Sequence, residues 1–158
     1  MAQTLKSLLT KTVQDSINLM VLDIEAMSHE QLSLKLNDQS RTAYDFCYEV
    51  SVVNDRIGKR AAGIDPGKWP FETWATAPTD LQTKENIAAS VKNSGAELIA
   101  AIENSADEDL LKELDLPSGK TSIAELALHA GFHTGYHDGQ LNLIQQTSGD
   151  MEVHWPMG

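Results

Sequence analysis

Residues 121–147, TSIAELALHAGFHTGYHDGQLNLIQQT, place three histidines four residues apart inside an otherwise apolar helical pattern. Ser122 with Glu125 three positions on reads as a capping box, in which side chains satisfy backbone N–H groups that a starting helix leaves unpaired. A helix is therefore expected from about Ile123. Leu126, Ala130, His133, His137, Leu141 and Ile144 recur every three or four residues, the buried stripe of an amphipathic helix. Two imidazoles stand inside that stripe. Burying a polar ring without a partner costs about 1–3 kcal/mol, so the pair needs hydrogen-bond partners or a metal ion. At i and i+4 their rings point the same way and can share one ion. His129 and His137 are separated by about 12 Å along the axis at 1.5 Å per residue, so all three cannot. A third ligand has to come from another segment. Ordinary hydrogen-bonded core histidines are the alternative reading.

Three more segments have helical period. Residues 4–27 set Leu5, Leu9, Val13, Ser16, Met20, Ile24 and Met27 on one face. Ser28 with Gln31 caps a short following turn, and the polar stretch 36–41 marks a loop. Thr42 opens a second long helix to Ala62, with Ala43, Phe46, Val50, Val53, Ile57 and Ala61 inward, and Gly63 ends it. Glu49 lies between Phe46 and Val53 and flanks this stripe; periodicity by itself makes it a solvated helix-edge glutamate. Residues 64–78 combine Pro66, Gly67, Pro70 and Pro78 with Trp69, Phe71 and Trp74. That is too many breakers for regular structure and too aromatic for disorder, so the loop is expected to fold over one end of the packed helices. Thr79 with Gln82 predicts the start of a third helix running to Asn104, with Leu81, Ala88, Val91, Gly95, Leu98 and Ile102 inward. Residues 105–119 read as a connection with one helical turn over 109–114, residues 149–158 as an ordered tail, and no segment reads as a strand. Four amphipathic helices over residues 1–158 make a single all-α domain, a four-helix bundle whose site is built from facing core side chains.

Charge narrows the partners. The chain has 158 residues and a net charge of −11, with no basic cluster to offset it, which disfavours nucleic acid and anionic membrane surfaces. No apolar run approaches the ~18 residues of a membrane span, and the first ten residues lack the pattern of a signal peptide. A cytoplasmic location is expected. The single cysteine, Cys47, excludes an internal disulfide and reads as a small core residue. On the fourth helix, Leu128, Gly131, Phe132, Gly135, Gly139 and Asn142 form a second stripe. Each glycine there costs about 0.8–1 kcal/mol relative to alanine, so another helix is expected to approach closely, from the same chain or from a homodimer partner.

The segments TAYDFCYEV in the second helix and HAGFHTGYHDGQLNLI in the fourth resemble the DinB/YfiT-like family of bundle metalloproteins, which is distinct from the DNA polymerase of similar name. That family pattern is a hydrophobic second-helix motif bearing one histidine, then a fourth-helix motif ending His-x-x-x-His-x-Gly-Gln. His133, His137, Gly139 and Gln140 match the ending residue by residue. The resemblance implies up-down-down-up connectivity with long connections. It also implies a divalent-metal-dependent transferase using a low-molecular-weight thiol on a small electrophilic substrate, or a related isomerase; many members have no assigned activity. Aligning Thr42 with the small hydroxyl residue that opens the second-helix motif puts Glu49 where a metal-binding histidine is expected. The implied ligand set is then Glu49, His133 and His137, two imidazoles and a carboxylate, a set that accommodates zinc, nickel, iron or manganese. Asp45, Asn54, Asp55 and His154 are the substitute donors. His129, one turn before the pair, is the candidate proton relay, with a packed hydrogen-bonded role as the alternative, and Tyr136 and Gln140 are expected to line or brace the site. The competing function is a non-catalytic small-molecule-binding or stress-associated bundle that lost its metal when histidine became glutamate.

Overall fold

In the computed structural model, which describes residues 3–117 and 119–156, helices account for nearly all regular structure. The long ones are α1 (Leu5–Ala26), α3 (Ala43–Ala61), α4 (Lys84–Asn104) and α5 (Ile123–Thr147), with one short helix, α2 (His29–Ser33), after α1. Capping sets most of their starts. Thr4, Ser28 and Thr42 each make reciprocal capping boxes, and Ser122 accepts from the Glu125 N–H. Gly63 closes α3 with φ of +73°, while the N–H of Ile64 reaches the Lys59 carbonyl at 2.8 Å.

The helices form an up-down-down-up bundle. Lys6 near the start of α1 donates to the Ser105 carbonyl after α4, and Lys84 at the start of α4 donates to the Glu25 carbonyl late in α1, so these two run antiparallel. Ser90 donates to Ser51 and Ser105 to the Ala61 carbonyl, which makes α3 and α4 parallel. Gly131 faces Thr12, and Asn142 donates to Asp23, which makes α1 and α5 parallel. The diagonal pairs are α1 with α3 and α4 with α5. Leu9, Val13, Ile17, Met20 and Ile24 of α1 meet Val50 and Ile57 of α3, Val91 and Leu98 of α4, and Leu141 and Ile144 of α5 in one continuous core.

Three sequence expectations are corrected. The third helix begins at Lys84, because Thr83 caps it by accepting from the Asn86 N–H; Thr79–Leu81 is a separate 3-10 turn, and the Gln82 side chain is spent on the Ala77 carbonyl. The connection before α5 contains the 3-10 turn Asp107–Asp109 and then an antiparallel pair, β1 (Leu114–Leu116) and β2 (Gly119–Thr121), in place of a helical turn. Strands of three residues are too short to display alternation. Leu5 is exposed, and Ile17 takes the buried place expected of Ser16. The tail is tied down: the Trp155 indole donates to Asp23 Oδ2 at 2.7 Å.

Candidate metal centre

Antiparallel packing of α3 and α5 makes one turn up the first helix match one turn down the second. Phe46 stacks on His137 with ring centroids 5.4 Å apart, and Glu49, one turn on, faces both His133 and His137. Glu49 Oε1 lies 3.5 Å from His133 Nε2 and 3.6 Å from His137 Nε2, and the two Nε2 atoms are 3.2 Å apart. Contrary to the direct carboxylate–imidazole hydrogen bond expected of the trio without an ion, Glu49 stands at the outer limit of hydrogen-bonding distance from both rings. These three edges are instead close to the ~3.3 Å between donors on a tetrahedral ion with ligands about 2.0–2.1 Å away. Three donor atoms converge at the spacing one small cation requires.

The surroundings hold the donors in the state a cation needs. The His137 Nδ1–H donates to Gln140 Oε1 at 2.6 Å, which leaves the lone pair on Nε2. Burial pushes the His133 pKa down to about 4, the neighbouring His137 adding to the effect and Glu49 opposing it. His137 is likewise lowered by burial, against the Gln140 hydrogen bond and the Glu49 charge. Burial works against ionisation of Glu49, but the hydrogen bond and charge of Arg41, with the two histidines, hold its pKa below the ordinary carboxylate value. At neutral pH the trio is therefore one carboxylate and two neutral imidazoles, the protonation state metal binding demands.

Arg41 is the residue the sequence reading missed. It pairs with Glu49 Oε2, and its guanidinium sits 4.8 Å from the ring centroids of both Phe46 and Trp74. Arg41 lies just before the α3 cap, outside any periodic segment, so nothing in the helical pattern points to it. A cavity of about 410 Å³ opens over the donors, bordered by Arg41, Trp74, Tyr136 and Gln140.

The other candidates lie apart from this trio. His129 is exposed, its ring centroid 5.9 Å from that of His133, and it borders a neighbouring cavity. Asp45 is committed to the α3 cap and to the Ala77 N–H, Asp55 pairs with Lys59, and His154 pairs with Asp150. Asn54 is buried with neither side-chain polar atom partnered among the described residues. Cys47 is fully buried and its thiol is pushed up, chiefly by burial. Asp138, beside His137 in sequence, is buried against α1; burial, then the charge of Asp23 and a hydrogen bond with it, raise its pKa to about 8.

Residues 24–141 match the DinB superfamily. The fold is similar to that of a DinB-like protein from Bacillus subtilis, at 18% identity over 92% of this chain and 94% of that one, with a TM-score of 0.66. A DinB-like protein from Bacillus cereus is similar at 13% identity over 87% and 91% of the two chains, with a TM-score of 0.67. No curated protein matches the sequence. Among the described residues no helix is long and apolar enough to cross a membrane.

Proposed function

Because this chain belongs to the DinB superfamily, we propose that Glu49, His133 and His137 hold one divalent cation as the centre of a thiol-using transferase. The observation that carries the reading is the near-equal donor triangle, with edges of 3.2, 3.5 and 3.6 Å. Two imidazoles and a carboxylate suit zinc or nickel, and also iron or manganese. A cation with open positions lowers the pKa of a bound thiol or water and so supplies a nucleophile at neutral pH.

The chain's own residues do the positioning. Gln140 fixes the tautomer of His137, Phe46 stacks against that ring, and Arg41 holds one carboxylate oxygen so that the other faces the histidines. Trp74 and Tyr136 border the mouth and narrow the path of water to it. His129 stands one turn outside the trio, open to solvent and 5.9 Å from the His133 ring centroid, as the proposed relay for the thiol proton. In the transfer a carbon–sulfur bond forms, the bond from carbon to its leaving group breaks with the electron pair departing on that group, and the thiol proton passes to solvent.

The assembly we infer is a homodimer through the open face of α5. Leu128, Phe132, Tyr136 and Leu143 are exposed there, and nothing lies within 4 Å of where a Cβ on Gly135 or Gly139 would be. Gly131 and Asn142, from the same stripe, are already occupied by α1. The single cysteine suits the reducing cytoplasm. Sedimentation at micromolar concentration tests the assembly: a dimer abolished by Gly135→Leu supports it, and a monomer overturns it.

The function is tested on purified full-length protein loaded with zinc or nickel. Metal analysis is expected to give one ion per chain, and the loaded protein is expected to speed the reaction of a small thiol with an activated haloarene. No bound ion under replete conditions overturns the metal centre and favours the binding bundle. A bound ion with no rate against a panel of thiols overturns thiol transfer alone.

A further inference from the structure

A second cavity, of about 610 Å³, lies next to the donor trio along the α3–α5 seam. Val53, four residues after Glu49, and His129, four before His133, border it, so the facing edges of the two cavities are about 6 Å apart along the helices. Its walls are mainly apolar: Val53, Ile57, Trp69 and Leu126. Its charge is unlike the rest of the molecule. The chain has 12 Lys and Arg against 23 Asp and Glu, yet Arg56, Arg60 and Lys68 all border this one cavity.

Those cations lack carboxylate partners. Among the described residues every ion pair lies elsewhere. Arg56 donates to the carbonyls of Pro66, Gly67 and Lys68 and lies 5.5 Å from the Trp69 ring centroid, so it shapes the cavity wall while its partners leave its charge uncancelled. Arg60 is half-buried and its guanidinium makes no hydrogen bond among the described residues. Burial and then the Arg56 charge lower its pKa, opposed by Asp65, whose Oδ1 accepts from the Gly67 N–H. A half-buried, repelled guanidinium beside an apolar wall gains most from an anion that brings its own apolar body. A guanidinium fork fits the two oxygens of a carboxylate.

We propose that this cavity binds a small-molecule carboxylate, its apolar body against Trp69, Ile57 and Leu126 and its charged end on Arg60 and Lys68. A ligand seated there extends along the seam toward Glu49 and His133. That approach to the donors rests on the proposed metal centre; the binding itself does not.

The test uses phenylbutyrate and its neutral isostere phenylbutanol, titrated calorimetrically into the full-length protein. The carboxylate is expected to bind about tenfold more tightly, a difference of about 1.4 kcal/mol. Arg60→Gln and Lys68→Gln are each expected to reduce that preference while leaving phenylbutanol affinity unchanged, which also reports an intact cavity. Glu49→Ala is expected to keep the preference whether or not metal binds. Equal binding of the two compounds, no binding of either, or a preference that survives both Gln substitutions overturns the proposal. A preference lost in Glu49→Ala and kept in Arg60→Gln puts the carboxylate on the metal centre and overturns it as well.

Discussion

Arg41 pairs with Glu49 through Oε2 alone and leaves Oε1 turned toward His133 and His137. The carboxylate therefore has one oxygen anchored and one presented. Removing the anchor with Arg41→Met is expected to weaken zinc binding about tenfold, within the 10–100-fold range for partners that orient a ligand. Arg41→Lys is not expected to restore it, because an ammonium lacks the planar fork that lies between Phe46 and Trp74. Competition against a chelator of known affinity measures both; an unchanged affinity in Arg41→Met counts against the anchoring role.

The donor trio makes an ordered series. His137→Ala is expected to abolish zinc binding, Glu49→Ala to weaken it severely, and Glu49→His to retain it, since an imidazole is a competent third ligand. Metal content by mass spectrometry after exhaustive dialysis checks each variant. Parent-like affinity in Glu49→Ala removes Glu49 from the ligand set.

Asp138 gives the fold a dependence on pH. Its carboxyl goes from an ordinary 3.8 in the unfolded chain to about 8 in the folded one, chiefly through burial. The folded state then holds a proton that the unfolded state has lost. This contribution is complete below the unfolded value and disappears as pH rises through the folded one. His133 and His137 act in the opposite sense but below their unfolded 6.5, while His154, raised by its hydrogen bond to Asp150, acts in the same sense, so between pH 7 and 8 the comparison with Asp138→Asn is what isolates Asp138. Across it the parent is expected to lose about 1 kcal/mol of stability and Asp138→Asn much less, as urea denaturation would show. Parallel pH profiles for the two would mean that Asp138 ionises normally.

Gly95 and Gly135 are both helical, and alanine is expected to do opposite things at each. A Cβ on Gly95 would stand 2.8 Å from Ile17 Cγ1 and 3.1 Å from Cδ1, and Ile17 is itself enclosed. Overpacking of about 1–3 kcal/mol then outweighs the 0.8–1 kcal/mol gain in helix propensity. Gly95→Ala is expected to lower Tm by several degrees. Within one chain the space at Gly135 is open, so Gly135→Ala is expected to raise Tm slightly at concentrations too low for the inferred dimer to form. Thermal melts of the two variants at one concentration decide the matter.

Much of this was legible because caps and periods are local. The bounds of α5, the stop at Gly63 and the pairing of His133 with His137 all follow from residues within a few positions of one another. Glu49 was only half legible. Period put it at the edge of the α3 stripe, and the antiparallel docking of α5 together with Arg41 turned that edge into a site. Thr79 and Gln82 had the right spacing for a cap, but Thr83 took that role, and a sequence cannot rank two adjacent caps of equal quality. Asp138 was illegible for a different reason. A carboxylate in a helix usually marks water, and only the contact with Asp23 on α1 shows it shut inside.

The up-down-down-up order separates the two helices that carry the donors by the whole of α4 and the hairpin, so the trio is among the last contacts the chain can make. As the protein emerges from the ribosome, Glu49 and Arg41 are in place while both histidines are still unsynthesised. Until α5 docks in the slot between α1 and α3, its apolar faces have no partner. Long-range closure of this kind is slow compared with helix formation. An ion held by the proposed trio would therefore meet a bundle whose helices have already docked, and its scarcity would leave an empty site in an intact fold.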